Sequence, residues 1–218
     1  MKGLLKNNFY AALSNGRILA GILLLLGSFV VVIGRKMPSA LMFYILLAII
    51  GFSLNFLASI RKEWGTKWGK YKLTLPVRRS EILRSYFWSL LLWLAAGMLF
   101  AGIGTALSIA LHGFFLDRAT DVYLLFVVGA GISLMTAAIF FPLLYWGGEA
   151  RNEVSLGISI LCGVGLTLGL VTLENALFSA PLTAAQVVLG GELILGCAGL
   201  AFALSYFVSV SIFRRKEY

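Results

Sequence analysis

Few residues in this chain are equipped for bond-making chemistry. There is one histidine, His112, so no HExxH pair can hold zinc on a helix face. No GxSxG elbow occurs, and any serine nucleophile would depend on that one imidazole as its base. Cys162 and Cys197 lie inside apolar runs with no CxxC partner, and they read as small packing residues, not a disulfide or metal site. The run Gly163-Val164-Gly165-Leu166-Thr167-Leu168-Gly169 has the glycines of a phosphate loop. It has no lysine after the last glycine and no strand before the first. The chain is therefore expected to have no catalytic, cofactor or metal site of its own.

Other polar groups stand out by position. Glu174 and Glu192 flank a segment ending at Pro181 that is too apolar for an ordinary loop and too short to span, which suits a re-entrant dip. Glu192, at a helix end, is expected to reach water. Asn55 and scattered hydroxyls, Thr167 among them, are the main polar groups within apolar runs, and nothing resembles a proton relay. The densest polar stretch is KEWGTKWGKYKLTLPVRRSEI, Lys62 to Ile82. On a helix, Trp64, Trp68, Tyr71 and Leu75 share one stripe, with Lys67 and Lys70 beside it. Pro76 ends such a helix, and Ser80 with Glu81 suits the start of the next. Two uses fit this pattern equally: an anchor on anionic lipid, or a helix that takes force from a cytoplasmic partner.

The elements that position these groups follow from composition. Charged residues make up 12% of the 218 and hydrophobic ones 60%, where a soluble domain carries about 25% charge; mean hydropathy is +0.95. Several apolar runs exceed the roughly 18 residues that argue for a membrane span. The expected fold is all-α, a single transmembrane domain over 1–218. Its six spans are expected at 17–34, 39–60, 82–111, 120–146, 154–173 and 188–212, with an interfacial helix over 1–16 and a cytoplasmic helix over 62–76. The third span, about 45 Å long at 1.5 Å per residue, exceeds a hydrocarbon core of about 30 Å and must tilt or project. Of the 18 basic residues, only Arg35, Lys36 and Arg118 fall outside if both termini are cytoplasmic. The positive-inside rule therefore puts both termini inside a bacterial-type membrane. The net charge of +9 is then a matter of lipid headgroups and not of nucleic acid. Small residues recur four apart (Gly97 with Ala101, Gly165 with Gly169, Gly199 with Ala203), which suits close helix packing within a subunit or across a dimer.

Glu63, Lys67-Trp68, Tyr71, Leu73-Thr74-Leu75-Pro76-Val77, Arg79 and Glu81-Ile82 resemble the cytoplasmic signature of bacterial ABC-2-type transporter permeases, between their second and third spans. Gly69 departs from that pattern, and glycine costs a helix about 1 kcal/mol. Within the family the chain is similar to small permeases of peptide exporters, such as that for phenol-soluble modulins. The resemblance implies a half-transporter. A second permease subunit pairs with this one, and two copies of a separate ATP-binding subunit dock on the coupling helices, bringing ATP and magnesium. Glu63, Trp68, Tyr71, Pro76, Arg79 and Glu81 would shape the coupling segment, with Trp64, Lys67, Lys70 and Leu75 added from the helix geometry and Gly147 to Glu153 as a lesser contact. Asn55, Phe56 and Thr167 are candidates for a substrate path, suited to amphipathic peptides or lipophilic compounds. Without an ATPase partner, the chain would be a channel or structural membrane protein, with Lys62–Pro76 as a lipid-surface anchor.

Overall fold

A computed structural model of the chain describes residues 2–33, 37–66, 72, 78–113, 119–147, 152–178 and 183–215. Six helices account for nearly all of them: α1 (Lys2–Ile33), α2 (Pro38–Trp64), α3 (Arg79–His112), α4 (Ala119–Gly147), α5 (Asn152–Leu177) and α6 (Ala184–Arg215). There is no strand among the described residues, and each helix is long and apolar enough to cross a membrane. The architecture is all-α with six helices able to span, as expected.

The helix ends explain themselves locally. Pro38 opens α2, where its missing N–H costs no hydrogen bond. Arg78, extended at φ −65° and ψ 138°, precedes α3. Its carbonyl accepts the amides of Glu81 at 2.9 Å and Ile82 at 3.4 Å, so the first turn closes on Arg78. Ser80, the cap expected from sequence, is already inside the helix. At the far end Gly113 takes φ 73° and donates to the Ile109 carbonyl at 2.8 Å, a conformation only glycine adopts cheaply. His112 is the last residue of α3. Its Nε2 lies 2.7 Å from the Val31 carbonyl of α1, and because a carbonyl only accepts, Nε2 carries the proton.

α1 also differs from expectation. A surface helix over 1–16 and a span from 17 are one unbroken helix, since nothing between Lys2 and Ile33 breaks it. Gly16, near the middle, does not bend α1. A Cβ there would run into the Trp93 indole, so its small size serves packing. The buried positions Asn8, Ala12, Gly16, Leu23, Gly27, Val30 and Val31 follow one side of α1, flanked by the partly buried Leu4, Leu13, Leu19, Ala20 and Leu26, and the opposite side faces outward. α1 lies against α2 and α3, while α4 packs on α2, α5 and α6. An aromatic layer ties α3, α4 and α6 together: Phe87 stacks on Phe141 at 4.4 Å between centroids and meets Phe202 at 4.7 Å.

The small-residue pairs divide. Gly97 and Ala101 are internal, and a Cβ on Gly97 would stand 2.8 Å from the Ala48 carbonyl oxygen, so α2 and α3 touch backbone to backbone. Gly165, Gly169 and Gly199 have no atom within 4 Å of a Cβ position and make no seam among the described residues. Gly163, one face round on α5, is the packed glycine, set against Thr136 of α4. Cys162 and Cys197 are likewise on the exterior and not packed within the chain.

Candidate functional site

The bundle end at which α1 begins and α6 ends holds a closed set of buried polar side chains. It is built from the last turn of α2, the first turns of α3, the second turn of α1, and Lys72 from the connection between α2 and α3. Lys72 is 2% exposed and Glu63 9%, values an ionised side chain reaches only when partnered. The two form an ion pair through Lys72 Nζ and Glu63 Oε1. Lys72 Nζ also donates to Asn8 Oδ1 at 3.0 Å and to the Tyr86 hydroxyl at 3.3 Å, and it lies 5.0 Å from the Tyr86 ring centre. The Tyr86 hydroxyl in turn donates to Glu63 Oε1 at 3.2 Å. Asn8 Nδ2 donates to Ser85 Oγ at 3.0 Å, and Ser85 donates to the Ile82 carbonyl at 2.7 Å. Every donor on the ammonium is used, and a saturated network in a low-dielectric site holds its members rigidly.

Trp64 and Arg79 build a second tie at the same end. Trp64 is buried at the end of α2 and meets Tyr145 of α4 and Phe213 of α6 edge-on, at 5.4 and 5.8 Å. The Arg79 guanidinium donates to the Phe213 carbonyl at 3.1 Å and lies 5.6 Å from that ring. Phe213 is in the last turn of α6, where carbonyls lack helical partners, so Arg79 caps α6 and complements its dipole.

The candidate coupling residues therefore separate. Lys62, Glu63 and Trp64 complete α2 and do not begin a separate helix. Glu63 and Trp64 point into the bundle, so Trp64 is a packing residue at the end of α2 and not part of an outer surface. Arg79 and Glu81, both partly buried, sit in the first turn of α3. Lys67, Trp68, Lys70, Tyr71, Leu75 and Pro76 lie outside the described residues, as do residues 148–151 of the second loop. Lys72, Asn8, Ser85 and Tyr86 escaped the sequence reading. The signal available for them was an asparagine on the apolar stripe of α1 and a lysine set between Tyr71 and Leu73.

Asn55, Phe56 and Thr167 are not gathered into one channel in this conformation. Asn55 Nδ2 donates to the Ala12 carbonyl at 3.2 Å and so fastens α1 to α2. Phe56 is fully buried in the core, and Thr167 is buried on α5 with its hydroxyl on the Gly163 carbonyl at 2.9 Å. At the opposite end of the bundle, Tyr123 donates to the exposed Glu192 at 3.3 Å. The glycine pair Gly190-Gly191 makes room there for the Glu174 carboxyl and the Tyr123 ring. Among the described residues no group of three or more His, Cys, Asp or Glu is placed to hold a metal.

The fold and this site define a class, a multi-pass helical membrane protein whose α2–α3 connection is bonded into the end of its bundle. The family model described as ABC-2 family transporter protein matches residues 3–214, and the chain belongs to that family. It is a membrane permease component of an ABC transporter. No curated protein and no solved structure matches the chain.

Proposed function

We propose that the chain is the membrane half of an ATP-driven exporter, powered by separate ATP-binding subunits that dock on the segment around residues 62–76. The observation that carries this reading is the junction itself. The segment bearing the coupling signature is bonded through Lys72 to three helices at the most basic end of the molecule. A lipid anchor has no need of such a link, whereas a transmitter of force does. The charge bias supports a reading in which that end, with both termini, faces the cytoplasm of a bacterial cell. ATP and magnesium belong to the partner, bound in two copies, and a second permease subunit completes the pathway.

For the cargo, amphipathic peptides or lipophilic compounds fit best. A lateral groove of about 500 Å³ opens between α3 and α6, walled by Phe87, Trp88, Leu91, Phe202 and Tyr206, with Arg84 as its charged residue. Such a surface takes an apolar face bearing one anionic group more readily than a sugar or a small ion. Asn55, Phe56 and Thr167 would join the path only once α1 has moved off α2.

Docking is tested with Trp68→Ala/Tyr71→Ala. The expected result is a permease that inserts normally but no longer co-purifies with its ATP-binding subunit, or no longer couples hydrolysis to export. A double variant that keeps its ATPase and exports normally would remove the docking assignment. Loss of membrane association alone would favour the lipid anchor.

A further inference from the structure

Lysine has three N–H donors, and in Lys72 each serves a different helix: Asn8 on α1, Glu63 on α2 and Tyr86 on α3. We propose that the Lys72 ammonium is the mechanical junction through which the ATPase-docked segment moves α1. This inference rests on the exporter reading above.

The case for α1 as the moving arm comes from how it is held. α1 packs on α2 and α3 along a face that runs from Asn8 through Ala12, Gly16 and Leu23 to Val30, with the Trp93 indole of α3 set over Gly16, and it is the least buried of the three helices. Its polar ties are few and placed along its length. Asn8 bonds Lys72 and Ser85, the Ala12 carbonyl accepts from Asn55, and the Val31 carbonyl accepts from His112. A single helix from Asn8 to Val31 spans about 35 Å at 1.5 Å per residue. With no break between them, a displacement at Asn8 is carried to the far end. The Asn55 bond lies between, so a shift of α1 breaks it and releases the Asn55 amide into the gap. The geometry also explains the residue type. An ammonium sends three donors in tetrahedral directions, whereas the guanidinium of arginine is larger and confines its donors to one plane, which does not match three partners set around a single point.

The test follows α1 directly and needs no knowledge of the cargo. Spin labels are placed at exposed Ser14 on α1 and exposed Leu161 on α5, in a chain carrying Cys162→Ala and Cys197→Ala. The permease–ATPase complex is reconstituted in lipid, and the label distance is measured with and without ATP plus vanadate. We expect a nucleotide-dependent shift in the otherwise unmodified complex. It should be lost in Asn8→Leu, which cuts only the α1 branch and keeps the ATPase bound, and lost in Lys72→Arg, which keeps the charge. An unchanged distance in the parent complex, or a full shift in both variants, overturns the junction. If the parent permease holds no ATP-binding subunit at all, the exporter reading fails first and the junction with it.

Discussion

The ion pair between Glu63 and Lys72 makes a quantitative prediction about stability. Both side chains are almost wholly buried, and removing one partner of a buried pair costs about 3–5 kcal/mol because the other charge is left uncompensated. Lys72→Met should fall in that range. It strands the Glu63 carboxylate with the Tyr86 hydroxyl as its remaining donor, and it leaves Asn8 Oδ1 unpaired. Glu63→Gln should fall near the lower end, since the amide oxygen still accepts from Lys72 and Tyr86. The double variant removes both charges. It keeps the Tyr86 bond and loses the Asn8 partner, which costs about 1–3 kcal/mol for one unsatisfied buried acceptor. The two single losses should thus exceed the double loss by at least about 2 kcal/mol, a coupling typical of directly interacting residues. Unfolding of the purified permease by a denaturing detergent, followed through its five tryptophans, reads all three values. Strict additivity would show that the two charges do not meet in the folded protein, and the junction would have to be abandoned.

Two further outcomes test the packing and the path. On α3, Gly97→Ala pushes a methyl against the α2 backbone, while Gly102→Ala meets no atom within 4 Å. Overpacking costs about 1–3 kcal/mol and alanine favours a helix by up to about 1 kcal/mol, so Gly102→Ala should melt at or above the parent temperature and Gly97→Ala below it. Equal melting temperatures would contradict the close α2–α3 contact. Asn55→Leu removes the side-chain bond to the Ala12 carbonyl, which keeps its backbone donor within α1. A stability loss of about 0.5–1.5 kcal/mol is expected, together with altered ATP-driven export of a fluorescent amphipathic peptide. Stability lost with export intact would make Asn55 a fastener only.

What the sequence disclosed and what it withheld divide along physical lines. Six helices follow from long apolar runs and scarce charge, because a chain in lipid must satisfy its backbone bonds within each span. The basic end follows from the placement of Lys and Arg. The N-terminal segment was legible as a helix and as one-sided. Its fusion with the first span was not, because a glycine such as Gly16 marks a bend or a close approach equally well until its neighbour Trp93 is known. The same ambiguity hid the α5 packing face, where Gly163 and not Gly165 meets α4. Periodicity misplaced Trp64 for a related reason. The stripe it shares with Trp68 and Tyr71 is real arithmetic, but helical spacing does not say where one helix stops, and Gly65 ends α2 directly after Trp64. The junction was least legible of all. Its members come from positions 8, 63, 72, 85 and 86, and only the folded chain brings them within hydrogen-bond distance.

A buried ion pair is a poor way to stabilise a helix bundle, since apolar side chains of the same volume hold it as well or better. Its advantage is positional. Apolar contacts between helices have shallow wells and tolerate small slides, whereas an ammonium saturated by three directed partners loses a bond as soon as one partner moves away. A segment tied to three helices by such a group cannot shift without moving one of them or breaking the set. α2 and α3 are fixed to each other by backbone contact at Gly97, and α3 is fixed to α4 and α6 by the aromatic layer and to α6 by Arg79. α1 is the least buried of the three that share Lys72, held on one face by packing that includes Phe9 stacked on Trp93 and by a few hydrogen bonds. Of the three helices that share Lys72, it is therefore the one that yields when the segment is pushed.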